Sequence, residues 1–202
     1  PVTGLILNLF IGLALGANVV IANAIGRGSG DAVRKAVHTS IIAAVAGGVM
    51  VALIGELVAG PLLGMLNVTA DVFPLALTYL RIYLLGMPVI LLYNFEAAIF
   101  RSVGDTQAPL AVLTISGVLN VTFGLFFVIV CGMSVDGVAL ATVLANVISS
   151  MILLYRLVHT DAVIGVRLRE LRVDWLTLRQ ILRIGLPAGI QSAVFAVANI
   201  II

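Results

Sequence analysis

Five long apolar stretches dominate the chain, at about 2–25, 39–66, 72–100, 109–131 and 137–158, and a sixth begins near residue 184. A helix rises about 1.5 Å per residue, so about 20 apolar residues cross a hydrocarbon core near 30 Å. A bilayer admits only helices or closed barrels, because backbone groups find no water there. The stretches lack the strict alternation of barrel strands, which leaves helices. Only 10% of the residues are charged, against roughly 25% in soluble domains, too few to cover a water-facing surface. The expected fold class is therefore an all-α, polytopic membrane protein held in a lipid bilayer.

The basic residues set its sidedness. Arg27, Arg34 and Lys35 follow the first stretch, Arg101 follows the third, and Arg156, Arg167, Arg169, Arg172, Arg179 and Arg183 follow the fifth. The intervening loops, around Asn67 to Asp71 and Gly132 to Asp136, have no lysine or arginine. All these bases fall on one side, the cytoplasm by the positive-inside rule. The first helix then runs from outside to inside. Pro1 lies within apolar sequence without a basic leader, and the chain stops at Ile202 after successive isoleucines. A fragment of a longer protein is expected, with the remainder of its own chain as a partner.

Local punctuation refines the picture. Gly104, Asp105, Thr106 and Pro109 read as a turn feeding a helix with Pro near its first turn. Pro88 should bend the third helix by removing a backbone donor, either as a packing kink or as a hinge. Asp174 is a candidate cap for a short amphipathic helix carrying Leu176, Leu178, Ile181 and Leu182, with Trp175 near the head groups. That helix is expected along the cytoplasmic surface. His38 and His159 have no ligand-like spacing and fit helix ends near the head groups. Cys131 is the only cysteine, which excludes an internal disulfide or cysteine-cluster zinc site.

In lipid, small residues permit close helix packing, and polar ones mark interior faces. Gly4, Asn8, Gly12 and Gly16 make one stripe. Thr114, Gly117, Asn120 and Gly124 make a second, Thr142, Asn146 and Ser149 a third, and Gly185, Gly189, Ser192 and Asn199 a fourth. Each stripe fits either helix packing or the lining of a wet cavity, and several in one bundle favour a cavity. The candidate cation or substrate residues are Asn120, Thr142, Asn146 and Asn8.

Ionisable residues within the bilayer are sharper clues, because an unpaired one is expensive there. Glu56 and Arg81 lie about 15 Å of helix rise from the outer loop on consecutive helices. An intramembrane ion pair facing the bundle is expected, either structural or functional. Glu96, about one turn from Arg101, is expected to snorkel or to face the cytoplasmic mouth with it.

Enzyme chemistry has no support. No serine, histidine and acid constellation occurs, and the glycines from Gly26 to Gly30 lack the strand and the Lys of a nucleotide loop. No cofactor or metal site is expected, and the first 150 residues lack the charged face a nucleic acid needs.

The chain resembles the multidrug and toxic compound extrusion (MATE) family along nearly its whole length. The resemblance is carried by IANAIGRGSGDAVRKAVHTS from Ile21 to Ser40, YNFEAAIFRSVGDTQAPL from Tyr93 to Leu110, VDGVALATVLAN from Val135 to Asn146, and RIGLPAGIQSAVF from Arg183 to Phe195. It implies the second to sixth helices and the start of the seventh in a twelve-helix, two-lobe transporter. Residues 1–160 then belong to an N-lobe lacking its first helix, 161–183 form the cytoplasmic interlobe linker, and 184–202 start the C-lobe. The implied activity is export of amphipathic, often cationic, small organic compounds in exchange for sodium or protons, by a full-length monomer in a plasma membrane, the inner membrane of a bacterium. Asn120 and Thr142 match the family's N-lobe cation site. Gly124 stands where that site has an acid, and Phe195 where another branch has a glutamate. Two other functions are compatible with the stripes: a lipid-linked oligosaccharide flippase of the same superfamily, and a structural membrane subunit.

Overall fold

A computed structural model describes residues 2–65 and 69–201, with side chains described for 4, 7–65 and 69–195. The regular structure among the described residues is helical, with seven α-helices: α1 Val2–Gly26, α2 Gly30–Met65, α3 Phe73–Leu85, α4 Met87–Ser102, α5 Gln107–Leu125, α6 Val135–Val158 and α7 Trp175–Ile201. Four helices are long and apolar enough to cross a membrane, and α3 with α4 makes a fifth span bent by 50°.

Several boundaries differ from the sequence expectation. The second helix starts at Gly30 rather than near 39, because Ser29 caps it: its carbonyl accepts from Val33 N at 3.0 Å and its hydroxyl from Ala32 N at 3.4 Å. Apolar length marks the membrane crossing, not the helix end. The bend in the third span falls at Gly86, two residues before Pro88. Pro88 sits in the first turn of α4, where a missing N–H costs nothing. A Cβ on Gly86 would run into the Val143 side chain, and one on Gly48 would lie 2.7 Å from Pro88 N. Helices α2, α4 and α6 therefore meet closely at the break.

Helix α5 starts as the turn chemistry expects, with Gly104 at φ 82° and Asp105 Oδ1 accepting from Ala108 N at 3.0 Å. It widens into a π-turn at Phe126–Val130 before Gly132. Asp174 does cap a helix: its Oδ1 accepts from the backbone N–H and hydroxyl of Thr177 at 2.8 and 2.7 Å. That helix is no separate surface element, however. It continues through Pro187 as α7, so the expected start near 184 lies inside it.

Buried positions on the packed helices are often small, including Ala14, Ala17, Ala36, Ala44, Ala98, Ala141 and Ala145. Large apolar side chains such as Leu57 (79% exposed) and Ile129 (73%) face outward. Small residues interspersed among large buried ones such as Leu91 and Phe95, with large apolar side chains also facing outward, suit helices packed in lipid. Helix α4 sits among α1, α2 and α6, α7 lies along α1, and α5 rests mainly on α6. After α6 the chain folds back onto the start of α2. Arg167 N donates to His38 Nε2 at 3.4 Å, Asp174 N to Thr39 Oγ1 at 3.0 Å, and Arg34 pairs with Glu170 at 3.6 Å. His38 is thus buried against the segment that follows α6 rather than placed at a helix end.

Candidate functional site

The α5–α6 hairpin gathers three of the four expected polar residues. Asn120 Nδ2 donates to Thr142 Oγ1 at 3.3 Å, that hydroxyl donates to Val138 O at 3.1 Å, and Asn146 Nδ2 donates to Thr142 O at 2.8 Å. All three residues are half-buried. The patch is neutral, since α5 contains no charged residue. What it offers a ligand is amide and hydroxyl oxygen, not formal charge.

Neighbouring glycines show which way this face looks. A Cβ on Gly117 or Gly124 would meet no described atom within 4 Å. The α1 stripe behaves oppositely: a Cβ on Gly16 would lie 2.5 Å from Ile181 O and 2.7 Å from Gly185 N, and one on Gly185 would lie 2.7 Å from Leu13 Cα. Gly12 is pressed just as hard against the Gly189 backbone. Two stripes alike in sequence are thus a helix seam on α1 and α7 and an open face on α5. Asn8 is not brought to the patch. Its amide donates to Gly4 O at 2.8 Å on its own helix, and α1 packs mainly on α7, α4 and α2. Ser149 is buried and bonds back to Ala145 O at 2.7 Å. Asn199 lies outside the described side chains.

The structure brings Glu56 and Arg81 together, with Arg81 Nε 3.4 Å from Glu56 Oε2. Oε1 of Glu56 is enclosed without a partner among the described residues. The pair joins α2 to α3, and Arg81 is about half exposed.

Glu96 is not at a mouth. It is fully buried, and Ser150 Oγ donates to its Oε2 at 2.9 Å while Oε1 has no donor. Arg101 is exposed and makes no ion pair among the described residues. Arg101 is five positions on, but the helix turns Glu96 inward toward α6 and Arg101 outward. Ser150 escaped the sequence reading because nothing local marks its bond to a residue 54 positions away. Asn18 escaped it as well; its amide ties α1 to α4 by donating to Ala98 O at 3.1 Å.

The sequence profile of the MatE family matches residues 1–126. A probable multidrug resistance protein NorM of Thermotoga maritima is 29% identical over 195 residues, covering 93% of this chain and 41% of the relative. Among solved structures, the inward-facing and outward-facing conformations of a multidrug resistance MATE family transporter of the MOP superfamily are each similar at 27% identity and TM-score 0.89. They cover 97% and 98% of this chain and 44% of the transporter. The chain thus spans less than half the length of the proteins it matches.

Proposed function

The chain belongs to the MatE family, a family of transporters rather than enzymes, and on that premise we propose that it supplies most of one lobe of an antiporter exporting amphipathic, often cationic, organic compounds. In this reading residues 1–160 are the N-lobe part, 161–183 connect the lobes along the cytoplasm, and 184–202 begin the second lobe of a full-length monomer in a bacterial inner membrane. The helix from Trp175 then carries the end of the connection straight into the second lobe. Sodium or protons drive the exchange, and alternating access is supported by likeness to both an inward-facing and an outward-facing structure.

The observation that carries the reading is the Asn120–Thr142 contact on a face where Gly117 and Gly124 leave space. A structural subunit would fill such a stripe with a neighbouring helix, as α1 and α7 fill theirs. A flippase for a lipid-linked oligosaccharide would favour several basic groups in its cavity, and α5 has none. With Gly124 in place of an acid, cation binding at this patch relies on neutral oxygens of Asn120, Thr142 and Asn146.

The test is transport by the full-length protein in proteoliposomes under separately imposed sodium and proton gradients. One gradient is expected to drive export, and Asn120→Ala to weaken it. No response to either gradient refutes the antiporter; unchanged export by Asn120→Ala refutes the role of the patch.

A further inference from the structure

Glu96 is the one acid among the described residues that is wholly buried within a span and has no ion-pair partner. Six residues separate it from the end of α4, about 9 Å from the basic end of the bundle. Among the described residues its surroundings bring no compensating charge. Helix α1 has no ionisable side chain, and neither has α5. On α2, His38 accepts from Arg167 N, Arg34 pairs with Glu170, Lys35 with Asp31, and Glu56 with Arg81 of α3. On α6, Asp136 accepts from Ser134 N in the opposite loop, and Tyr155 and Arg156 are exposed. On α4 itself, Arg101 is exposed and Tyr93 makes no hydrogen bond to the carboxyl group.

An ionised carboxylate enclosed with one hydrogen bond and no cation is strongly disfavoured. Ser150 can supply a single donor, and its hydroxyl is already spent on Oε2. Oε1 is enclosed and has no partner among the described residues, which leaves no room beside it for a hydrated cation. A proton needs no such space. The carboxylic acid still accepts from Ser150 at Oε2, and although no described acceptor faces Oε1, one unpaired hydroxyl costs far less than an unpaired charge.

We propose that Glu96 is a proton-binding site, closed by the α4–α6 contact and able to release its proton only when Ser150 and the surrounding helices move apart. The break at Gly86 separates α4 from α3, so α4 can make that movement without dragging its partner half-span. The protonation itself rests on the packing of Glu96 alone; its use in coupling rests on the transporter reading.

Infrared difference spectroscopy on the full-length protein, titrated from acid to alkaline pH, reads the carboxyl group directly. The expected result is a protonated-carboxyl carbonyl band that persists at neutral pH, disappears in Glu96→Gln, and changes frequency in Ser150→Ala. A neutral-pH spectrum in which Glu96→Gln removes no such band overturns the proposal. Should Glu96→Gln fail to fold, Ser150→Ala decides it, because an unshifted band means that the acid bonded to Ser150 is not protonated. Failure of the parent protein to transport would count against the antiporter and leave this spectroscopic result standing.

Discussion

Adding one methyl group distinguishes the two glycine stripes. In Gly16→Ala the new Cβ would sit 2.5 Å from Ile181 O and 2.7 Å from Gly185 N, both backbone atoms of α7. Comfortable contact needs about 3.5 Å, so α1 and α7 must separate by about 1 Å, and a gap of that size forfeits up to about half of each contact along the seam. Overpacking of this kind costs about 1–3 kcal/mol. Gly117→Ala meets no described atom within 4 Å and should be neutral to stabilising, by up to about 1 kcal/mol from helix propensity. Thermal unfolding of the full-length protein in one detergent, parent against both variants, measures the contrast. Equal melting temperatures for Gly16→Ala and Gly117→Ala would refute the assignment of one stripe to a seam and the other to an open face.

Gly124→Asp puts an acid one turn from Asn120, where an added Cβ finds open space; the protein is expected to fold and its export to change its sodium or pH dependence, whereas a melting temperature falling by several degrees would show that this face is filled. For Glu56 and Arg81, a double-mutant cycle with Glu56→Gln and Arg81→Gln should give a coupling of about 1 kcal/mol, kept small by the exposure of Arg81, and zero coupling would make the contact incidental. The two Thr177 hydrogen bonds, backbone first, hold the Asp174 carboxyl below its ordinary value of 3.8. Its capping contribution is therefore complete above that value and lost as pH falls through the lower folded value. Amide exchange in the first turn of α7 should accordingly be faster in Asp174→Ala than in the parent at neutral pH, and alike in both once the pH is low enough to protonate the carboxyl; faster exchange at neutral pH that is absent from the variant would remove the cap.

Apolar length made the spans legible, since crossing a bilayer imposes a fixed number of residues whatever the tertiary structure. Local chemistry was legible too, in the turn at Gly104 and Asp105 and the cap at Asp174, because turns and caps act within three or four residues. Pro88 misled by two positions: proline disrupts a helix interior but suits a first turn, and which of these applies depended on Gly86 packing against Val143 of a distant helix. Lys35, whose partner Asp31 is one turn away, lies in a segment whose polarity hid the early start of α2. The small-residue stripes were visible but mute, because close packing and an open cleft select the same small side chains. Glu96 was read by its neighbour in sequence, Arg101, while its actual partner came from α6.

Helix α6 links the two features on which this bundle's chemistry turns. Thr142 receives the Asn120 amide, and Ser150 holds the Glu96 carboxyl, eight residues or about 12 Å further along the same continuous helix. The neutral patch and the buried acid are therefore too far apart to share one ion, yet a rigid shift of α6 is felt at both. Helix α5 adds the asymmetry such a shift needs. Gly117, Asn120 and Gly124 fall within about 60° of one another around its axis, while Ile115, Val118 and Leu125 cluster about 150° away, all three exposed. One flank is mostly apolar, and the other sets Asn120 among two glycines, Leu110 and Leu113, with the α6 contact between them. On the proposed reading, coupling is mechanical: proton loss at Glu96 favours separation of α4 from α6, and a movement of α6 alters the Asn120–Thr142 contact.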